Sequence, residues 1–284
     1  MPGSLGTLFV VATPIGNLED VTLRALRILR EVAVIAAEDT RRTSRLLQHY
    51  SISTPTISLH EHNERSRTAT LLDRLARGES VALVSDAGTP VVSDPGAELV
   101  RAAHAAGVRV EPVPGPSAVM AAVSASGFGG EGFVFLGFPP ARAEARRAWL
   151  SRLVHETRPL VLYEAPHRIR DTLEDLRQIF GDRTIAVGRE LTKAHEQLVI
   201  GPISSCINKL TTTKGEFTLV LAPPGPGSES RGDLPQASLV DEFWHLTNSG
   251  QLSRRQIVKQ LSAKYRVSQR SVYEAIEDAK GAVD

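Results

Sequence analysis

Ser85-Asp86-Ala87-Gly88-Thr89-Pro90-Val91-Val92-Ser93-Asp94-Pro95-Gly96 lies between the apolar run Val81-Ala82-Leu83-Val84 and a stretch of helical spacing over residues 97–103. The first reads as a buried strand and the second as a helix. A strand that runs into a small Gly/Pro-rich turn opens its backbone groups at the carboxyl edge of a sheet, where open α/β sheets bind ligands. Gly88 lets the backbone approach a ligand closely, and Pro90 and Pro95 stiffen the turn. The stretch holds no lysine, so it is not a phosphate-gripping loop of the Gly-Lys-Ser/Thr type. It suits a ligand with a sugar, a flat ring and polar ends better than a triphosphate.

The same pattern recurs on either side. Residues 7–12, 32–37, 56–59 and 108–113 are apolar and β-branched and read as strands. They end in Thr13-Pro14-Ile15-Gly16-Asn17, Glu38-Asp39-Thr40-Arg41-Arg42, His60-Glu61-His62-Asn63 and Pro114-Gly115-Pro116-Ser117-Ala118. Between them the spacing predicts helices over 21–29 with Asp20 as N-cap, over 43–49 carrying Arg45, over 68–77 stopping at Gly78, and from 118 to 124. Alternating strands and helices argue a parallel sheet covered on both faces. The polar turns then gather on one edge and share a cleft.

After Ser126-Gly127-Phe128-Gly129-Gly130, read as a linker, the pattern changes. Strands are expected over 133–138, 159–163, 184–187, 197–201 and 216–221, with a helix over 169–180 ending at Gly181. Arg142, Arg146 and Arg147 are expected on an exposed helix start. Residues 223–230 are a Pro/Gly/Ser tether by composition. Helices at 239–246, 253–262 and 268–276, the last two capped by Ser253 and Ser268, close the chain. Tyr265-Arg266-Val267 separates two of them, as in a helix-turn-helix. Arg254, Arg255, Lys259, Lys264, Arg266 and Arg270 make this segment locally basic and fit for phosphate contact. A small solvated bundle would have the same composition. The expected division is an α/β domain over 1–125, a second, mixed α/β domain over 126–222, a linker over 223–236 and a helical domain over 237–284.

With 284 residues the chain is long enough for more than one core. A net charge of +1 gives no global field toward nucleic acid, so such contact needs local patches. The single Cys206 excludes an internal disulfide framework and a cysteine metal site. No run approaches the roughly 20 apolar residues of a membrane span, and Met1-Pro2-Gly3-Ser4 lacks the regions of a signal peptide. A cytoplasmic protein is expected.

Thr13-Pro14-Ile15-Gly16-Asn17, Ser85-Asp86-Ala87-Gly88-Thr89-Pro90, Pro114-Gly115-Pro116-Ser117-Ala118 and Tyr163-Glu164-Ala165-Pro166-His167-Arg168 occur in order, together with Ala37-Glu38-Asp39-Thr40-Arg41 and Arg189-Glu190-Leu191-Thr192-Lys193. In this set the chain, over residues 7–222, resembles the tetrapyrrole methylase superfamily of S-adenosylmethionine-dependent enzymes. Within it the chain resembles the branch that methylates the ribose 2′-hydroxyl of a cytidine in the decoding region of small-subunit (16S) ribosomal RNA. The resemblance implies two α/β domains with the methyl donor in the cleft between them, and a homodimer. It also implies donor contacts from Pro14, Asp86, Ala87, Gly88, Val91, Ser117, Ala118, Tyr163 and Glu164. Many tetrapyrrole methylases have Gly-Gly-Asp-Pro where this chain has Asp86-Ala87-Gly88-Thr89, a departure that fits the RNA branch.

A ribose hydroxyl is a weak nucleophile and needs a general base or a stabilising cation. A lysine desolvated in a cleft can act as a base. Lys193 and Glu190 are the expected catalytic pair, with Asp39 and Arg41 positioning substrate; ion pairing at a domain interface uses the same residue types. Arg41, Arg42, Arg45, Arg147 and Arg168 are expected to contact RNA phosphates, with Arg142 and Arg146 in the same rim. His60 and His62 have no further ligand cluster and read as polar surface, so no metal is expected. The substrate is then 16S ribosomal RNA or the small ribosomal subunit. A small-molecule methylase and a non-catalytic ribosome-assembly factor are the competing readings.

Overall fold

The computed structural model describes residues 4–225, 236–248, 252–265 and 269–281. The first sheet comprises β1 (Thr7–Val11), β2 (Val34–Ala37), β3 (Thr56–Ser58), β4 (Val81–Val84) and β5 (Arg109–Val113), in the order β3-β2-β4-β1-β5, all parallel. Helices α1 (Leu23–Glu31), α2 (Thr40–His49), α3 (Glu64–Ala76), α4 (Ala97–Ala105) and α5 (Ala118–Ser126) follow the strands. Every residue of β2 and β4 is buried, as a strand covered on both faces requires. One face packs on α1 through Leu26, Ile28 and Leu29, and the other on α3 and α4 through Leu71, Leu75 and Leu99.

The second sheet comprises β6 (Val134–Phe135), β7 (Leu160–Glu164), β8 (Thr184–Arg189), β9 (Gln197–Pro202) and β10 (Phe217–Leu221), in the order β6-β7-β10-β8-β9. Only β6 and β7 are parallel; the other pairings are antiparallel. Strand alternation divides its side chains: Leu160, Leu162, Phe217 and Leu219 join one core with α6 (Ala143–Ser151), α7 (Ile169–Phe180) and α8 (Ile203–Lys209). Val161, Ala186 and Val220 point the other way and meet Val119, Ala122 and Val123 of α5. Helix α5 therefore leaves the first sheet and covers the second, which joins the two sheets through apolar burial.

Beyond Gly225, helices α9 (Gln236–Asn248), α10 (Arg254–Tyr265) and α11 (Gln269–Gly281) share a small core built on Phe243, Val258, Leu261 and Ile276. Ser253 immediately precedes α10, and its N–H and hydroxyl both donate to the Gln256 side-chain oxygen. Residues 226–235, Arg266, the Ser268 cap and the Arg270 side chain lie outside the described residues. Arg254 pairs with Glu277 and Lys264 with Glu242, at 2.9 and 2.5 Å, so part of the positive charge read here is neutralised within the bundle.

The structure corrects several expectations. Asp20 does not cap a helix; it ends a single 3-10 turn, and the Thr22 side chain caps α1 by accepting from Ala25 N–H. Strand β6 is two residues long rather than six. Helix α8 was not expected. Arg146 is not exposed: it is 3 % accessible and donates to Asp175 of α7 at 2.7 Å.

Candidate active site

The strand ends of the first sheet and the facing ends of β7 and β10 enclose a cavity of about 400 Å³. Its first wall is the turn after β4. Gly88, at φ 80°, exchanges two backbone hydrogen bonds of 2.9 Å with Thr13, clamping this turn to the one after β1. Asp86, Ala87 and Gly88 line the cavity, and so do Ser117 and Ala118 at the amino end of α5. Ser117 caps that helix, its hydroxyl oxygen accepting from Met120 N–H. The opposite wall carries Phe138, Tyr163 and Glu164. The Tyr163 ring meets Phe135 and Phe138 at centroid distances of 5.0 and 5.4 Å.

Asp86 ties the loops together. Its carboxylate accepts from Asp39 N–H at 2.9 Å and pairs with Arg42 at 3.3 Å, while its own N–H donates to Glu38 at 3.3 Å. Burial pushes the Glu38 carboxyl above its ordinary range, outweighing the hydrogen bond from Asp86 N–H. Burial and the Glu38 charge push Asp94 up to about 6, against a hydrogen bond from Ser85. Burial and the Asp94 charge push the Tyr163 phenol up to about 12. Sequence reasoning placed Glu38 in a motif without a role and missed Asp94 and Phe138 as wall residues.

Glu164 is 2 % exposed and satisfied within its own wall: it accepts from Ala165 N–H at 2.6 Å, Thr172 at 2.5 Å and Arg168 at 2.6 Å. Arg168 is thus not part of an exposed rim, because its guanidinium is held by Glu164 and by the Pro139 carbonyl. Arg147 is half-exposed, 3.5 Å from Asp175. Arg41 and Arg45 are exposed, and Arg42 joins the cavity lining.

Pro14 and Val91 do not line the main cavity. Pro14 faces an adjoining cavity of about 110 Å³ that it shares with Arg42, Arg45 and Asp86, and Val91 packs on the core beneath the loop.

Lys193, Glu190 and Asp39 are not cavity-lining residues either. Lys193 Nζ donates to Glu190 at 2.8 Å and to Glu216 at 3.0 Å, and Glu216 is in the cavity wall. Burial works to lower the Lys193 pKa, but those two carboxylates outweigh it and hold the amine above its usual value. A neutral-amine base is therefore corrected to a fixed ammonium. Asp39 is the N-cap of α2 and is held well below the usual carboxylate range, first by hydrogen bonds from Arg41. Burial opposes the charge of Glu190, and Lys193 with the Glu216 N–H nevertheless holds its pKa down. The Lys193 turn also touches the first sheet's loops: Asn17 N–H donates to Thr192 at 3.1 Å, and a Cβ on Gly16 would stand 2.3 Å from Lys193 Cγ. Only glycine permits this approach.

His60 and His62 stack edge-on with centroids 6.0 Å apart, and His60 contacts Asn63. No group of three or more potential metal ligands is assembled among the described residues.

Residues 7–206 match the family described as Tetrapyrrole (Corrin/Porphyrin) Methylases. The chain is 46 % identical over 273 residues to "Ribosomal RNA small subunit methyltransferase I" of Synechocystis, covering 95 % of this chain and 97 % of the relative. A relative of the same name from Thermotoga maritima is 48 % identical over 220 residues, 77 % of this chain and 99 % of the relative. Among solved structures, uroporphyrin-III-C-methyltransferase from Thermus thermophilus aligns at a TM-score of 0.54 and 24 % identity over 76 % of this chain and 94 % of that one. A cobalt precorrin-4 methyltransferase aligns at a TM-score of 0.56 and 17 % identity over 75 % and 94 %. At these identities the solved structures speak for the fold.

Proposed function

The chain belongs to the tetrapyrrole methylase family, and on that premise we propose that it transfers a methyl group from S-adenosylmethionine to small-subunit ribosomal RNA, at the ribose 2′-hydroxyl of a cytidine in the decoding region. The observation that carries the reading is the cavity. Glu38, Asp86, Asp94 and Glu216 line it against Arg42, beside the apolar surfaces of Ile15, Ala118, Phe138 and Tyr163. Acidic walls around an apolar floor fit a cationic ligand with a flat ring. S-adenosylmethionine has that chemistry, and when bound it supplies an electrophilic methyl group on its sulfonium.

The protein's task is then to bind, align and accept a proton. Alignment of reactants contributes roughly 7–11 kcal/mol in ideal cases. The Gly88–Thr13 clamp and the Glu164–Arg168 turn each hold one wall of the cavity in shape. The fixed Lys193 ammonium holds Glu216 in place at the rim. Exposed Arg41 and Arg45, with Arg42 behind them, offer cations to RNA phosphates beside the opening; such contacts dominate nucleic-acid affinity. The relatives named for ribosomal RNA methylation are 42–54 % identical to this chain, which favours RNA over a tetrapyrrole substrate. The proposal includes a homodimer acting in the cytoplasm.

Calorimetry with S-adenosylmethionine tests the donor site, and labelled methyl transfer to small ribosomal subunits tests the substrate. Absence of donor binding would favour a non-catalytic factor. Transfer to a corrin precursor but not to subunits would favour a small-molecule methylase. Light scattering at assay concentration tests the homodimer.

A further inference from the structure

Removing the proton from the attacking hydroxyl needs an acceptor inside the cavity, and most carboxylates there are already committed. Asp86 is bound by Asp39 N–H and Arg42, Glu164 by Arg168 and Thr172, and Glu216 by Lys193. Glu38 accepts the Asp86 N–H. Asp94 accepts a hydrogen bond from Ser85 but enters no salt bridge among the described residues, is half-buried and lines the cavity.

Its placement is enforced. Val91 and Ser93 are left-handed, at φ 72° and 68°, conformations that non-glycine residues adopt only where the surrounding structure enforces them. Glu64 secures the far end of the loop, its carboxylate accepting from Gly96 N–H at 3.0 Å and Glu98 N–H at 2.8 Å. The reversals turn Val91 into the core and place Val92, Ser93 and Asp94 in the cavity wall. Glu38 after β2, Asp86 on the Asp94 loop, Arg42 of α2, Tyr163 and Glu164 of β7 and Glu216 before β10 are the other titratable and charged groups that line the cavity. With this burial and these acidic neighbours Asp94 sits at about 6, close to the working pH that an efficient general base needs.

The geometry points to Asp94 as the catalytic residue that accepts the proton of the ribose hydroxyl, an inference that rests on the methyltransferase reading above. In that step the 2′-oxygen forms its bond to the methyl carbon while the methyl–sulfur bond breaks. The bonding pair goes to sulfur, and the hydroxyl proton passes to the Asp94 carboxylate, which later releases it to water.

The test compares wild type with Asp94→Asn, Asp94→Glu and Glu38→Gln in the full chain. Donor binding is measured by calorimetry near pH 6 in two buffers of different ionisation heat. A cationic donor beside Asp94 drives off its proton, so wild type should release protons on binding, Glu38→Gln fewer because the Glu38 charge helps to raise Asp94, and Asp94→Asn fewest. In single-turnover transfer to small ribosomal subunits, Asp94→Asn should lose about 100-fold or more in rate with little change in KM for subunits, the usual scale of general-base loss. The wild-type rate should fall as pH drops below the pKa of Asp94 in the donor complex, which the bound cation sets lower than in the free protein, and Asp94→Asn should lose that dependence. Proton release and a pH profile unchanged in Asp94→Asn, with a rate close to wild type, would overturn the assignment. If Asp94→Asn does not bind donor, Asp94→Glu decides: a slower enzyme that keeps the pH dependence supports the role, and a pH-independent one overturns it. A wild type inactive on subunits overturns the function reading and this inference with it. An active wild type with an unaffected Asp94→Asn overturns this inference alone.

Discussion

Replacing Glu164 by glutamine tests how the second wall of the cavity is built. Glu164 is 2 % exposed, and its two oxygens take hydrogen bonds from Ala165 N–H, Arg168 and Thr172 at 2.5–2.8 Å. Glutamine keeps the shape but removes the charge and turns one acceptor into a donor. Arg168, whose side chain is only 15 % exposed, then retains the Pro139 carbonyl and no carboxylate. Breaking a buried ion pair by removing one partner costs about 3–5 kcal/mol. The remaining carbonyl bond and slight solvent access place this site near the lower bound, about 3 kcal/mol, out of a total stability of about 5–15 kcal/mol. The same change loosens the 163–166 turn, so donor affinity should fall as well. Urea unfolding of the full chain, followed by circular dichroism, reads the first effect, and donor calorimetry reads the second. Adding Arg168→Met to Glu164→Gln removes the stranded cation and should recover part of the stability. If Glu164→Gln stays within about 1 kcal/mol of wild type and binds donor equally well, the Glu164–Arg168 pair does not hold this wall.

Asp86→Ala should weaken donor binding at least tenfold, because it releases both Asp39 N–H and Arg42; unchanged affinity by calorimetry would remove Asp86 from the donor site. The Asp94 pKa is raised on folding from 3.8 to about 6, so the folded state favours the protonated form. Its ionisation penalty is absent below about pH 4 and complete above about pH 6. Asp94→Asn should therefore be more stable than wild type at pH 7 and equal to it near pH 4, as read by thermal unfolding at both pH values. Subunit binding should weaken steeply with salt. Combined Arg41→Ala and Arg45→Ala should reduce the log–log slope by about 0.7–0.9 per lost phosphate contact while leaving donor affinity unchanged, whereas an unaltered slope would take these arginines out of the RNA contact.

The strands of the first sheet were legible because each β-branched run stops abruptly at a charged or Gly/Pro turn, and the shared edge follows from that repetition. The order β3-β2-β4-β1-β5 was not, since apart from β2 and β3 the pairing partners are not consecutive in sequence. Helix α8 carried a usable signal in Ile203, Cys206, Ile207 and Leu210, spaced as a helical stripe, but β9 runs into it without a turn at Pro202. Arg146 and Arg147 are indistinguishable in sequence; only the packing of α6 on α7 buries one against Asp175 and leaves the other half-exposed. Lys193 read as a base because its partner Glu216 is 23 residues away, and that carboxylate, with Glu190, keeps it protonated. Asp94 stood in the quoted loop from the outset. Its role depends on two left-handed residues and on burial, which composition does not reveal.

The most direct measurement is methyl transfer from labelled S-adenosylmethionine to small ribosomal subunits taken from cells lacking this activity, followed by nucleotide mapping. The account predicts one labelled site, on the ribose 2′-oxygen of a cytidine in the decoding region. Label on a base, or no label on subunits that the protein demonstrably binds, would contradict it.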